Sequence, residues 1–419
     1  MKKIVKLEKR ELVKNLLLFY FLVSISAYRL NAVIAISAFV AILLYSILSD
    51  GKLIVTSILK WGCLFWGYYF LSILWCHNVN DVLRYGSAVV YIIGIFCFLP
   101  KIVKNKEELK MVIKLMFYSI VFTAILIILI TPLSEYGTTR MGSAIGLNEN
   151  IFGMRMAIGA MLALYIFKDK KYRVNNIVLI VFLVIFSLLT LLSGSKKGLI
   201  ILVLGILSVV FIYSSGIKRI RKIIAALIAI TGILFLIFNN TILYSTIGYR
   251  IEKTLLTITG NSSQNVQLDV INGTKTSIDG SLVERDFYKK QSIELFKKYP
   301  IFGYGGNNFK TRMREIGYSH VAYSHNNFFE LLSTLGLGGF LIYYSYWILV
   351  VVRLIKIRKN TADREMRRMS ELFLSIVLIL LLLDYGNVSY VLEFNMFILC
   401  MVSIFIDQSR KEIANEIAQ

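Results

Sequence analysis

The sequence predicts an all-α polytopic membrane protein, with about 12 transmembrane helices and one large extracytoplasmic loop. Three observations carry this. Apolar residues make up 57% of the 419 positions, and they fall into runs of the length a helix needs to cross a bilayer. Short charged segments separate the runs, and the whole chain has only 3 prolines. The alternation of apolar and polar residues that a membrane β-barrel requires is missing.

Taken in order, the first run follows MKKIVKLEKR and reads as a retained span at 12–28, a cleaved signal peptide being the other reading. Spans follow at 31–49, 53–75, 83–100, 111–132, 150–167, 176–193, 198–214 and 223–239. After a long polar interval come 329–352, 371–386 and 391–406. Loop charges set the orientation. Segments 1–10, 101–110, 168–173, 218–222 and 353–368 are rich in Lys and Arg, whereas 76–82 and 387–390 have none. Twelve spans put all five basic segments, and both termini, on the cytoplasmic side. The chain then divides into residues 1–239 with spans one to nine, an extracytoplasmic loop at 240–328, and residues 329–419 with the last three spans.

The formal charge of +22 would point a soluble chain toward nucleic acid. Here membrane orientation accounts for it, and no nucleic-acid partner is expected. Cys63, Cys76, Cys97 and Cys400 lie in or beside apolar runs without a CxxC pair, so they read as small core residues.

Within the long loop, Thr257–Ser281 is rich in Asn, Ser, Thr and Gly and reads as irregular or mobile. Asn261 and Asn272 begin triplets that match glycosylation acceptors, a pattern chance often produces. From Ser281 the pattern turns helical. Ser281 and Glu284 form a capping box, Phe287, Ile293 and Phe296 share a face, Pro300 ends the helix, and Gly303, Gly305 and Gly306 make a turn. An amphipathic helix on the outer membrane surface fits.

Several basic residues sit outside against the topological bias, and binding an anion is a reason for that. Arg140 lies in 133–149, and Lys196 and Lys197 lie in the Ser193–Gly198 link. Arg155 lies inside a span and should face the protein interior. Arg285 opens the surface helix and either grips phosphate or pairs with its acidic neighbours. The two lysines either meet a diphosphate or reach toward lipid headgroups. His325, followed by Asn326 and Asn327, stands where the loop enters a span. A neutral imidazole there can accept a proton from a hydroxyl, with the helix N-terminus disfavouring its charged form; capping is the other role open to these polar groups. His320 stands five positions earlier with no third ligand in view, so no metal site is expected.

The segments RMGSAIGLNENIFG (140–153), SGSKKGLI (193–200), SLVERDFYKKQSIELFKKYPIFGYGGNNF (281–309) and SHNNFFELLSTLGLGGF (324–340) resemble the O-antigen ligase/polymerase superfamily of bacterial membrane glycosyltransferases, in its Wzy-type polymerases. The resemblance implies a C-type glycosyltransferase-like fold without metal or other cofactor, acting on undecaprenyl-diphosphate-linked oligosaccharides as donor and acceptor. It implies the essential base at His325 and the diphosphate-holding arginine at Arg285. Arg140, Arg155, Lys196, Lys197, Asn326 and Asn327 are the further candidates for substrate binding. The family has an arginine where this chain has Lys196, a change that keeps the charge but loses the forked geometry. The expected activity is joining lipid-linked repeat units into capsule or O-antigen chains at the outer face of the cytoplasmic membrane. Besides the bilayer, a flippase and a chain-length regulator are the candidate partners. A ligase that moves finished glycan to lipid A core or protein shares these motifs. A non-catalytic flippase would instead require internal repeats and charges deep in several spans, and the sequence has no such repeat.

Overall fold

The computed structural model describes residues 2–26, 32–49, 54–136, 139–143, 148–167, 173–212, 216–258, 280–318 and 323–418. Asn261, Asn272, His320 and most of Thr257–Ser281 lie outside the described residues, as does the side chain of Ser281 on which the capping box depends. The regular secondary structure of the described residues is helical, and their only β pairing is an isolated bridge between Tyr136 and Thr139.

Each of the twelve expected apolar stretches is a helix. They are α1 (Lys2–Ser26), α2 (Ala32–Leu48), α3 (Ser57–Leu71), α4 (Gly86–Ile102), α5 (Lys106–Ile130), α6 (Glu149–Phe167), α7 (Arg173–Leu192), α8 (Lys196–Ile212) and α9 (Gly216–Asn239), then, after the long loop, Asn327–Asn360, Arg364–Leu383 and Glu393–Ala418. By length and composition, five helical segments among the described residues are apolar and long enough to cross a membrane, or six if a pair bent by 92° between Asn239 and Thr241 counts as one. Many of the twelve also present apolar side chains outward, such as Leu48 (80% exposed), Leu129 (78%) and Ile228 (67%). In water such faces would be costly; in lipid they are not.

Two packing features position the rest. Helix α6 lies against α7 and α8. Backbones meet there because glycine faces glycine: a Cβ on Gly198 would sit 2.7 Å from the Gly153 carbonyl carbon. An aromatic core joins α3 to the Asn327–Asn360 helix. Trp61 stacks on Tyr346 with ring centroids 4.9 Å apart, and its indole N–H donates to the Ile342 carbonyl at 2.8 Å.

Outside this bundle, α10 (Gly280–Lys298) and α11 (Phe309–Glu315) form a cap with its own small core of Tyr288, Leu295, Tyr304, Phe309 and Met313. The buried face of α10 is therefore Tyr288, Ser292 and Leu295. The expected stripe of Phe287, Ile293 and Phe296 is only partly buried, because the ring of Phe309 and the side chain of Met313 lie under the other face. As expected, α10 stops two residues before Pro300, and Gly303 (φ 74°) and Gly305 (φ 105°) turn the chain.

That turn docks into a break in the helix α12 (Asn327–Asn360), where Gly336 has φ 65° and ψ −167°. A break there frees the carbonyls of Ser333 and Thr334 and the N–H groups of Leu337 and Gly338. The turn satisfies all four: Tyr304 N–H and Gly305 N–H donate to the two carbonyls at 2.9 and 2.8 Å, and the carbonyls of Pro300 and Ile301 accept from Leu337 and Gly338 at 2.8 and 3.2 Å. The cap is thus bonded through its backbone to the helix that follows His325. Buried Asp81 ties its far end down, pairing with Lys310 at 3.1 Å and accepting from the Thr311 hydroxyl at 2.6 Å.

Candidate active site

The chain enters α12 through Ser324, His325 and Asn326. Asn326 is the N-cap: its side-chain oxygen accepts from the N–H groups of Phe328 and Phe329 at 3.0 and 3.2 Å, and its side-chain nitrogen donates to the Tyr385 carbonyl at 3.0 Å. Asn327 is fully buried. Its oxygen accepts from the N–H groups of Ser389 and Tyr390, and its nitrogen donates to the Tyr344 hydroxyl and to Asp384. Both amides expected to bind substrate are thus already engaged in protein contacts. Asn326 lines the cavity described below, and Asn327 does not.

His325 is one of two non-glycine residues with positive φ among those described, at 57°. That left-handed conformation is costly outside glycine and persists where surrounding bonds enforce it. Here the Ser324 hydroxyl donates to the Asn326 carbonyl at 2.9 Å, and the Ser324 N–H donates to Glu330 at 2.9 Å. The half-buried imidazole lies 4.1 Å from the Tyr323 ring and stacks over Tyr288 at 6.0 Å, centroid to centroid. Burial, then the cations Arg285 and Lys197, push its pKa down to about 4. The imidazole is therefore neutral near pH 7. Dehydration and neighbouring cations are the causes found, where the sequence suggested the helix terminus.

His325 lines a cavity of about 500 Å³. The start of α8 contributes Lys196 and Lys197, and α10 contributes Arg285, Asp286 and Lys289. Four cations thus surround one carboxylate. Lys197 donates to the Gly386 carbonyl and to the Asn387 side chain. Burial, then Arg285, bring its pKa down to about 7. Lys196 donates to the Thr254 hydroxyl at 2.9 Å. Among the described residues Arg285 has no hydrogen bond or ion pair, so its forked donors are available to a ligand. On the bundle side the wall turns apolar, with Ile200 (44% exposed) and Leu382 (52%).

Two expected residues lie elsewhere. Arg140 donates to the Ser193 carbonyl at 2.9 Å and the Asn150 side chain at 3.0 Å, and pairs with Glu149 at 3.2 Å. It fastens the 139–143 segment to the α7–α8 link. Arg155 is buried with its guanidinium 3.2 Å over the Phe394 ring, inside the bundle. Lys289 and Tyr288 were not singled out in the sequence. Lys289 was within reach of it, four residues after Arg285 and so on the same helix face. No group of three or more His, Cys, Asp or Glu among the described residues is arranged to hold a metal.

A neutral imidazole beside a cluster of cations can take a proton from an attacking hydroxyl while the cations receive an anionic leaving group. The comparisons bear on the same stretch. A family model described as O-antigen ligase matches residues 181–344, a span that takes in Lys196, Lys197, Arg285 and His325 and leaves out Arg140 and Arg155. No curated protein matches the chain.

Proposed function

We infer that this protein is a membrane glycosyltransferase of the O-antigen ligase/polymerase superfamily that polymerises lipid-linked repeat units, a reading supported by the O-antigen ligase family match at residues 181–344. The observation that carries the reading is one cavity holding a neutral His325 together with Arg285, Lys196 and Lys197. The oxygen of an acceptor sugar hydroxyl attacks the anomeric carbon of the donor. The bond from that carbon to the diphosphate oxygen breaks, and its electron pair leaves with undecaprenyl diphosphate. His325 takes the hydroxyl proton. Arg285 and the two lysines neutralise the charge that develops on the diphosphate, so no metal is required. The exposed Ile200 and Leu382 give the first isoprene units an apolar wall.

The same proposal sets twelve spans, both termini in the cytoplasm and residues 240–328 outside, at the bacterial inner membrane. Alternation of the basic segments supports it, as does the helical state of all twelve apolar stretches. The test is polymer production in cells. His325→Ala and Arg285→Ala abolish long chains while the protein still inserts; long chains persisting in both variants would sink the mechanism.

The description of the matching family favours a second reading, transfer of finished glycan to another acceptor. Mutant cells separate the two. Lost polymerisation leaves single repeat units attached to the final acceptor, whereas lost ligation leaves full-length chains on undecaprenyl diphosphate.

A further inference from the structure

The surface helix α10 serves two cavities. Its N-terminal half gives Arg285 and Lys289 to the site above. Its C-terminal half borders a second cavity of about 540 Å³, which the mechanism does not use. Rings form the floor there. Tyr304 is buried, and the exposed His77 stacks on it with centroids 3.7 Å apart and planes 13° from parallel. Tyr299 stands edge-on to His77 at 6.0 Å. Around the rings, Glu294 pairs with Lys297 at 3.2 Å, and Arg312 approaches Glu315 at 3.7 Å. Carboxylates and cations are interspersed, unlike in the first cavity.

This mixture suits a polyhydroxyl ligand better than a diphosphate. A pyranose has an apolar C–H face that lies flat on an aromatic ring, and hydroxyls that both donate and accept. Carboxylates supply acceptors, and guanidinium and ammonium groups supply donors. From Arg285 to Lys298 the helix advances about 20 Å at 1.5 Å per residue. A ligand touching both cavities is therefore an oligosaccharide of several units. We propose that the cavity at His77, Tyr299, Glu294 and Arg312 holds the part of the glycan remote from the reacting end. The inference rests on the outer-face transferase reading, because His77 lies in the 76–82 loop that this reading places outside.

The test is a binding measurement, which needs no chemistry. Purified full-length protein in detergent is titrated calorimetrically with lipid-free fragments, graded by length, of the source organism's surface polysaccharide. The variants His77→Ala, Tyr299→Ala and Glu294→Gln change exposed or half-buried side chains. Multi-unit fragments should bind each aromatic variant about tenfold more weakly than the parent, Glu294→Gln should lie between, and Arg285→Ala should bind them as the parent does. In the transfer assay the aromatic variants should keep the rate of the first addition and make shorter products. Parent-like binding of long fragments by both aromatic variants would overturn the proposal, as would a parent protein that binds no fragment. Failure of the active-site reading shows differently: His325→Ala would still make polymer, whatever the fragments do.

Discussion

Replacing Arg285 with Gln removes the one guanidinium in the cavity that has no partner among the described residues, and it leaves a side chain of similar length. A preorganised donor aimed at developing negative charge contributes about 2.7–4 kcal/mol, so transfer should slow by about 10²–10³. The sharper consequence concerns pH. His325 works as a base when neutral, so activity rises as pH climbs through about 4. Lys197 helps the leaving diphosphate when protonated, so activity falls as pH climbs through about 7. Arg285 lowers both pKa values by disfavouring a second positive charge nearby. Without it, both limbs of the kcat/KM profile should move to higher pH together. The profile of kcat/KM reports the free enzyme, in which no bound phosphate masks these charges. The assay is chain extension by purified protein on a defined undecaprenyl-diphosphate oligosaccharide, sized across the pH range. A role confined to holding α10 in place would lower the rate without displacing the limbs in one direction. Unmoved limbs, or a rate within about tenfold of the parent, would refute the reasoning.

Gly336→Ala tests the docking of the cap. Its backbone at φ 65° and ψ −167° is a region nearly confined to glycine, worth about 1–3 kcal/mol of strain. A new Cβ would also lie 2.3 Å from the Ile301 carbonyl oxygen. Thermal unfolding in detergent should fall by several degrees and transfer should be lost with it; an unchanged melting temperature would remove this account of the break. Asn326→Ala should cost about 1 kcal/mol through the lost N-cap, while Asn326→Asp, which keeps the capping oxygen, should cost less in the same melt. If the two variants melt alike, the cap is not what Asn326 supplies.

Much of the architecture is local and so legible in the chain. A long apolar run has to be helical in lipid, because only a helix satisfies its own backbone there. The twelve apolar runs read in the sequence are helices, five or six segments among the described residues being long and apolar enough to cross a membrane. Pro300 and the glycines after it mark the end of α10 for equally local reasons. Arg285 and His325 could be picked out as candidates from motifs that resemble a known family, and the structure brings both to one cavity. What stayed hidden is which polar groups the protein itself consumes. Arg140 and Arg285 carry the same charge, yet Arg140 is committed to Ser193 and Glu149 while Arg285 is left open. The amides of Asn326 and Asn327 suit a cap and a ligand equally well. Tyr385, Asp384 and Ser389, 57 to 62 residues onward, decide between the two uses. The break at Gly336 is likewise set by a turn more than thirty residues earlier, which takes up its freed hydrogen bonds. Periodicity and run length belong to neighbours along the chain, and they determined the helices. Which side chains remain for a substrate depends on partners brought from distant positions, and only packing supplies those.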